Sequence, residues 1–381
     1  MACVRLARGR GGRARPRWTR QRHAAGGPGW PADSRDRAHH EREGRLLHGG
    51  EQRLALPLRE PGRTRDGARG TGRLAVRAAL IDELTTLAAH DPKVVLIVND
   101  VGFSVVEPFQ QRFPDRFINA GVAEANMIGV AAGLALTGHR VFVYAIAPFT
   151  TYRCIEQIRL DLCRTKAPVT LVGLGGGFTY GQLGTTHHPT EDVAMLRALP
   201  GVRVLAPCDS FETRALVPHL GTGEGPIYLR LEKAGQQDVH TTLPAVGPGR
   251  SVRVRAGEDV TLVACGTMVQ MSLAAADRLA ARGVRAGVVS AVSLKPLDPA
   301  LLGELRTRPV VTVEEHSTIG GLGSALAEAA ADACVPAPRL RIGVPDAYAE
   351  VAGDQGYLRS LVGLTAEGIE RRVADALGRG A

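Results

Sequence analysis

Several patterns that would place a protein in a common functional class are missing from this 381-residue sequence. Its six cysteines, at positions 3, 154, 163, 208, 265 and 334, show neither a CxxC pair nor the spacing of a metal site. We therefore expect buried thiols in a reducing cytosol rather than a disulfide framework. No continuous apolar segment is long enough for a signal sequence or a membrane span, so we predict a cytoplasmic protein without a membrane partner.

Glycine-rich signatures of nucleotide binding are missing as well. Neither predicted domain has a GxGxxG after its first strand, and no Walker A sequence occurs. Nucleotide binding therefore has no specific support.

Lysine is missing from residues 1–73, where 18 arginines stand against seven acidic residues. The whole chain has 47 basic and 38 acidic residues, so this tail carries a net charge of +11 and the remainder −2. Its Gly, Pro and Arg content predicts disorder. We interpret it as an upstream extension of the reading frame, with the working protein starting near Leu74 and no nucleic-acid partner. A nucleic-acid-binding arm and an Arg-rich transit peptide are the alternatives.

From Leu74 onward, short apolar runs alternate with helical patterns. The β-branched run KVVLIV is typical of a buried parallel strand, and a helix is predicted from about Val122 to Thr137. The strand RVFVYAI and the helix TTYRCIEQIRLDLC follow. Strands and helices that alternate at these lengths indicate an α/β fold with mainly parallel sheets flanked by helices.

The alternation stops at residues 234–250, AGQQDVHTTLPAVGPGR, and then resumes. This segment has the composition of a linker. We therefore predict two consecutive domains of the same class, residues 74–240 and 250–381.

One carboxylate, Glu124, stands at the head of the small and apolar run GVAEANMIGVAAGLAL. We expect this run to be a helix packed inside a domain, and it contains no Lys or Arg before Arg140. A carboxylate at a helix N-terminus is stabilised by the helix dipole, which is the structural alternative to a functional role.

Four motifs occur in order: GVAEANM, APFTTYRCIEQI, GQLGTTHHPTED and VTVEEHSTIGGLGSALAE. With them, residues 74 to 381 resemble the C-terminal half of transketolase, as it occurs in split two-subunit transketolases. The resemblance implies a pyrimidine-binding domain followed by a transketolase C-terminal domain. It also implies a transferase that uses thiamine diphosphate to move a two-carbon ketol unit from a ketose or ketose phosphate to an aldehyde.

The resemblance assigns Glu124 as the activating glutamate that hydrogen-bonds N1′ of the cofactor's aminopyrimidine ring. An apolar pocket suits this role, because desolvation favours a carboxyl group that can share its proton with the ring. Phe149 and Tyr152 match the aromatic pocket around that ring, although aromatics at helical spacing also occur in ordinary cores. Asp100 and Val101, which end the first strand, match a cofactor-contacting Asp-Leu pair. A cap of the following turn is the alternative for Asp100.

Four residues match positions that contact the substrate in the family. His187 corresponds to the histidine that hydrogen-bonds the substrate near the reacting carbon, and we expect it to be catalytic. Arg77, Ser104 and Arg230 correspond to the sugar-phosphate contacts; an arginine offers a fork of donors suited to phosphate, but each residue could equally lie at the surface.

Three positions depart from the family pattern. Leu183 replaces the acid that recognises a sugar hydroxyl, and Gly175 replaces a phosphate-contacting histidine. We therefore expect a donor or acceptor other than an ordinary pentose phosphate. His188 replaces the more usual Gln, and the sequence leaves open whether it faces the site.

The sequence has neither the GDG nor the NN pair with which full-length members hold the metal that bridges the diphosphate. Since a divalent ion needs convergent oxygen ligands, we predict no metal ligand in this chain. We expect the Mg²⁺ ligands on an N-terminal transketolase subunit, with which this chain forms a heterotetramer. We expect GGLGS and the adjacent Glu314, Glu315 and His316 to be structural, with an anion site or a metal site as the alternative.

Three other functions remain open. A 1-deoxy-D-xylulose-5-phosphate synthase shares the glutamate helix and the TH-type loop but is normally one chain. The β subunit of a 2-oxo acid dehydrogenase is a separate chain, but a QHSQ-like segment is expected where this sequence has THHPTED. A non-catalytic scaffold is the third.

Overall fold

The structure, a computed structural model, describes residues 76–232 and 237–379. The predicted disordered tail, residues 1–73, lies outside these ranges. Within them, no helix combines the length and the apolar character that a bilayer crossing requires.

In the described part of the chain, twelve strands form two sheets. In chain order they are β1 (Val94–Val98), β2 (Phe117–Asn119), β3 (Arg140–Ile146), β4 (Thr170–Leu174), β5 (Arg203–Leu205), β6 (Ile227–Leu231), β7 (Val252–Arg255), β8 (Val260–Ala264), β9 (Ala286–Ser290), β10 (Ser293–Lys295), β11 (Val310–Ser317) and β12 (Leu340–Val344).

The α-helices of the described ranges pack around these sheets. They are α1 (Val76–His90), α2 (Glu107–Arg112), α3 (Glu124–Leu136), α4 (Ala147–Thr151), α5 (Ile155–Gln157), α6 (Asp192–Ala198), α7 (Ser210–Leu216), α8 (Met268–Ala281), α9 (Ala300–Thr307), α10 (Leu322–Asp332), α11 (Gln355–Leu361) and α12 (Ala366–Ala376).

The first sheet has the order β10-β5-β6-β4-β3-β1-β2. Strands β1 to β6 are parallel, whereas β10 pairs with β5 in the antiparallel direction. Strands β1, β4 and β6 are buried along their whole length, as expected when helices cover both faces of a sheet. The mainly parallel α/β architecture predicted from the sequence is thus confirmed.

The second sheet has the order β12-β11-β8-β9-β7, with only β7 antiparallel to its neighbour. Strand β10 follows β9 in the chain but pairs with β5 of the first sheet. The first sheet is therefore not built from the first half of the chain alone, because β10, which follows β9 of the second sheet, forms its edge strand.

Helix α3 begins at Glu124, and it is only half buried. Met127, Ile128 and Ala131 face the core. The opposite face, which includes Gly129, Val130, Gly133 and Leu136, is exposed. The expectation that this helix packs inside the domain was therefore wrong for one of its two faces.

The segment after β3 is not the single helix predicted for residues 150–163. It consists of α4, a 3₁₀ turn at Tyr152–Cys154, α5 and a π-helical turn at Ile158–Cys163. The hydroxyl groups of Thr150 and Thr151 donate to carbonyl groups four residues earlier, at 3.0 and 2.7 Å. Such bonds bend helices, which accounts for part of the irregular path.

The carboxyl ends of β1, β3 and β4 meet at one edge of the first sheet, because these strands are adjacent and parallel. Three segments begin at this edge: Asn99 follows β1, helix α4 follows β3, and glycines 175–177 follow β4. Open α/β sheets bind ligands at this edge.

Candidate active site

Glu124 is buried at the first position of α3, and both of its contacts are polar. Its Oε1 accepts a hydrogen bond from Asn99 Nδ2 at 3.2 Å and forms an ion pair with Arg153 Nη1 at 3.0 Å. The expected apolar pocket is therefore wrong in one respect, because Arg153 supplies a cation from outside the helix. The Arg153 side chain is 51% exposed.

An aromatic and basic stack extends from this ion pair. The guanidinium carbon of Arg153 lies 4.0 Å from the centre of the Phe149 ring, on its face. His187 approaches Phe149 edge-on, with 5.1 Å between the ring centres. We call Asn99, Glu124, Phe149, Arg153 and His187 the Glu124 cluster.

His187 is suited to exchange hydrogen bonds with a ligand as a neutral imidazole. Burial lowers its pKa, and the charges of His188 and Arg153 act in the same direction. One ring nitrogen, Nδ1, lies 2.9 Å from the hydroxyl of Thr186. The ring is half-buried and can thus be approached from solvent.

Tyr152 is bound to Glu191. Its hydroxyl donates to Glu191 Oε2 at 2.8 Å and accepts from the Glu191 amide at 3.1 Å. Within the described residues, the ring contacts of Phe149 are with His187 and Arg153. The structure therefore brings Phe149 to Glu124, but fixes Tyr152 on the loop before α6.

Asp100 is held at the end of β1 in a left-handed backbone conformation, with a φ of 61°. Asn119 fixes it by two bonds, since Asp100 N donates to Asn119 Oδ1 at 3.0 Å and Asn119 Nδ2 donates to Asp100 Oδ1 at 3.1 Å. The Asp100 side chain is exposed at the ligand-binding edge, and Val101 beside it packs partly against the core.

Arg77 and Ser104 lie on the same side of the first sheet as this edge loop. Arg77, on α1, adjoins Tyr144; burial raises the pKa of Tyr144 to about 12, and the Arg77 charge opposes that shift. Burial also raises the pKa of Tyr180, and the Arg77 charge again opposes the shift. The ring centre of Tyr180 lies 6.3 Å from that of His187. Ser104 is exposed, and its amide donates to Glu107 Oε1 at 2.6 Å.

Arg230 is not brought to this group. Its side chain is buried, with Nε donating to Asp192 Oδ2 at 2.8 Å. Its Nη2 donates to the carbonyl groups of Pro189 and Glu315 at 3.0 and 3.1 Å. These contacts tie β6 to the loop before α6 and to β11, which is a structural arrangement.

His188 and Gly175 are explained by packing. His188 is buried, with Nε2 at 3.2 Å from the Gly181 carbonyl and its ring edge-on to Phe178. Its ring is thus bound inside its own loop, whereas the ring of His187 contacts Phe149. A Cβ atom at Gly175 would lie 2.2 Å from the ring of Tyr180, so no histidine fits there while Tyr180 holds this position.

Glu314 and Glu315 are buried and fully engaged by the chain itself. Glu314 accepts the amides of Leu322 and Gly323 at 2.6 and 2.9 Å, and it therefore fills the anion position at the N-terminus of α10. Burial raises its pKa to about 7, against these two amides. Glu315 pairs with Arg359 Nη2 at 2.5 Å. The structural interpretation of this segment agrees with these contacts.

Sequence reasoning missed Asn99 and Arg153. A polar residue directly after a fully buried parallel strand was a usable signal for Asn99. For Arg153, the signal was that a buried carboxylate needs a hydrogen-bond donor, and that the segment after β3 contains one arginine near its start.

Two family models match the chain, one over each half of the part after residue 71. The "Transketolase, pyrimidine binding domain" matches residues 72–236, and the "Transketolase, C-terminal domain" matches residues 249–369. The chain belongs to the transketolase family. The first match contains every residue of the Glu124 cluster.

Individual relatives agree with this assignment. The chain is 39% identical to the 6-deoxy-6-sulfo-D-fructose transketolase subunit SqwH of Clostridium sp. (strain MSTE9), over 78% of this chain and 92% of that one. It is 37% identical to the 1-deoxy-D-xylulose-5-phosphate synthase of Heliobacterium modesticaldum, but it spans only 46% of that enzyme.

A solved structure described as a split gene transketolase, in an inactive β4 tetramer, has the same fold. It superposes with a TM-score of 0.73 at 38% identity, covering 81% of this chain and 100% of that one. The family is thiamine-dependent, and the solved structure, which this chain covers completely, is described as a split gene transketolase.

Proposed function

We propose that this chain is the C-terminal subunit of a split, thiamine-diphosphate-dependent transketolase. It would transfer a two-carbon ketol unit from a ketose, or its phosphate, to an aldehyde. The observation that carries the proposal is the Glu124 cluster at the carboxyl edge of the first sheet, where a buried carboxylate, an aromatic face and a neutral histidine meet.

The residues of this cluster fit an aminopyrimidine ring. Such a ring needs an acidic partner for a ring nitrogen, which Glu124 can be, and a flat apolar face, which Phe149 offers. The buried Asn99 Oδ1 has no hydrogen-bond partner among the described residues, so it can accept a bond from an amino group. Asp100 and Val101 would contact the same ligand from the end of β1.

In this arrangement, the Glu124 carboxyl group would hydrogen-bond the N1′ atom of the ring. Thiamine diphosphate, when bound, supplies the carbon nucleophile that carries the two-carbon unit. His187 would donate a hydrogen bond to the substrate oxygen at which negative charge develops.

Arg153 has a distinct part in this proposal. Its planar guanidinium contacts both Glu124 and the face of Phe149, which are the two groups that would hold the ring. We infer that Arg153 occupies the position of the ring in the isolated subunit and withdraws when the ring binds. Its half-exposed side chain leaves room for that movement.

The Mg²⁺ ligands and the diphosphate site would lie on an N-terminal subunit. Exposed apolar residues on α3 and in the loops before it support such a partner, because exposed apolar surface marks interaction sites. Phe103 and Val122 are 74% and 76% exposed, and α3 presents Val130 and Leu136 on the same exposed face. The names of the relatives, a transketolase subunit and a split gene transketolase, support the same arrangement.

The substrate site would be bordered by Arg77, Ser104 and Tyr180. Leu183, 55% exposed, offers no hydrogen bond to a sugar hydroxyl, and Gly175, where the family has a phosphate-contacting histidine, leaves its space to the ring of Tyr180. A site without these polar partners would discriminate against ordinary pentose phosphates.

Reconstitution tests the proposal. The full chain would be assayed alone and together with a chain that carries the GDG and NN motifs, with thiamine diphosphate and Mg²⁺ present. We expect weak cofactor binding and no ketol transfer by the chain alone, and turnover by the mixture. Robust ketol transfer by the chain alone would contradict the split arrangement.

The same assay separates the rival functions. Release of 1-deoxy-D-xylulose 5-phosphate would identify a synthase instead. Stable association with the partner, with bound cofactor and no turnover for any ketose, would favour a scaffold.

A further inference from the structure

A second group of buried polar side chains lies outside the Glu124 cluster. Cys208 and Glu212 are on either side of the N-terminus of α7, and His240 lies in the segment that joins β6 to β7. The Sγ atom, a carboxylate oxygen and an imidazole nitrogen of these residues all lie within 4.8 Å of one another. Cys208 and Glu212 are completely buried.

The orientation of His240 is fixed by Asp209, the N-cap residue of α7. Asp209 Oδ2 accepts a bond from His240 Nδ1 at 2.9 Å, and also from the amides of Val239 and His240 at 2.9 and 2.8 Å. Burial lowers the pKa of His240, but the hydrogen bond to Asp209 and the charges of Asp209 and Glu212 raise it by more, so a metal ion would displace a proton from Nε2. With Nδ1 bound to the Asp209 carboxylate, Nε2 is the ring nitrogen that faces Glu212, 3.9 Å from its Oε1. This is the arrangement that holds histidine ligands in metal sites.

Two polar atoms in the cluster lack a hydrogen bond of normal geometry. Within the described residues these are His240 Nε2 and Glu212 Oε1, both buried; the Ser290 hydroxyl lies near Glu212 and is likewise without such a bond. His240 Nε2 and Glu212 Oε1 lie 3.9 Å apart, which is too long for a direct hydrogen bond. The other oxygen of Glu212 accepts the Cys208 amide at 2.7 Å. Buried polar atoms in this state call for a third group between them.

We propose that Cys208, Glu212 and His240 bind one Zn²⁺ ion. Thiolate, imidazole and carboxylate together are a ligand set of zinc, whereas Mg²⁺ and Ca²⁺ prefer oxygen atoms only. Tetrahedral bonds of about 2.0 to 2.3 Å place two ligand atoms about 3.3 to 3.7 Å apart. His240 Nε2 and Glu212 Oε1, now 3.9 Å apart, would have to approach by only a few tenths of an ångström, and the other pairs, which lie within 4.8 Å, by about 1.2 Å at most. A water molecule next to the Ser290 hydroxyl would complete four-fold coordination.

Binding releases the thiol proton of Cys208 to solvent and forms a Zn–S bond. Burial raises the pKa of this thiol well above its usual value, so the group is a neutral thiol without the ion. The charge of the ion compensates for the cost of a buried thiolate.

The ion would have a structural role. Cys208 and Glu212 belong to the loop and helix that follow β5, whereas His240 belongs to the connection between the two sheets. One ion bound to all three fastens that connection to α7. It would therefore fix the path of the chain between the two matched family domains.

Metal content and cobalt spectroscopy test the site on the full chain. After exposure to Zn²⁺ and dialysis, we expect one zinc per chain by mass spectrometry. Titration with Co²⁺ should give a thiolate-to-cobalt charge-transfer band in the near ultraviolet. A wild-type chain without stoichiometric metal and without this band would overturn the proposal, and would favour a protonated His240 paired with Glu212.

Variants locate the site. Cys208→Ala and His240→Ala should each lose the stoichiometric metal, and Asp209→Asn should weaken metal affinity about 10- to 100-fold. Cys163→Ala and His219→Ala are the matched controls and should retain it. Equal metal binding by Cys208→Ala and Cys163→Ala would refute the assignment. If a variant does not fold, the cobalt spectrum of the wild-type chain still decides.

Discussion

The two domains each place a buried glutamate at the N-terminus of a helix, and the two carboxylates differ in their partners. Glu314 in the second domain lies on β11 and accepts two amides at the N-terminus of α10, within the same domain. Glu124 in the first domain meets Asn99 and the half-exposed Arg153, at a sheet edge that is open to ligands. A buried carboxylate next to a helix N-terminus thus has a structural role in one domain, whereas in the other it is paired with a half-exposed cation at the ligand-binding edge of the sheet.

Glu124→Gln is expected to have the largest effect on activity. In a reconstituted complex, turnover should fall about 10²- to 10⁴-fold, since an amide cannot act as the acid. Stability should change by only about 1 kcal/mol or less, because the ion pair with Arg153 is partly exposed to solvent. Glu314→Gln is the matched control, and it should lose about 1 to 3 kcal/mol of stability because an amide group then faces two helix amides. A reversed pattern in turnover and urea denaturation would overturn the comparison.

Glu315→Ala should destabilise the protein more than Glu314→Gln does. It leaves Arg359 without its carboxylate partner in a buried position, which costs about 3 to 5 kcal/mol. Urea denaturation measures this loss. Glu224→Ala removes one partner of a fully exposed ion pair with Lys166 and should leave stability unchanged. Equal stabilities of the two variants would show that the Glu315 contacts contribute little.

Arg153→Ala tests whether the cation beside Glu124, which Glu314 does not contact, competes with the cofactor. If the guanidinium competes with the pyrimidine ring for Glu124 and Phe149, its removal should strengthen cofactor binding about five- to tenfold, the sum of a surface ion pair and a cation–π contact. Isothermal titration of the reconstituted complex measures this affinity. Arg159→Ala, which removes an exposed pair with Glu156, is the control. Weaker binding by Arg153→Ala would mean that this residue holds the cofactor instead.

Removal of residues 1–73 is expected to have the smallest effect. Their composition offers no apolar core, so the stability and activity of the reconstituted complex should stay nearly unchanged. Thermal unfolding and turnover of the truncated chain provide the test. A large loss of either would show that the tail docks on the rest of the protein.

The motifs predicted the family, the α/β class and the place of Glu124, because strand runs and helix patterns are local properties of the sequence. Arg153 was missed because its approach to Glu124 depends on the irregular turns after β3. The pairing of β10 with β5 could not be predicted either, because a strand of three residues is too short for its sequence pattern to indicate which strand it pairs with. The requirement for glycine at position 175 depends on the ring of Tyr180, which only the folded chain places there.

The most direct test of the proposed role of Glu124 is hydrogen–deuterium exchange at C2 of thiamine diphosphate bound to the reconstituted complex. We expect exchange in Glu124→Gln to be slower than in the wild type by orders of magnitude, with bound cofactor demonstrated in both. Exchange at the wild-type rate in Glu124→Gln would contradict the catalytic assignment of this carboxylate.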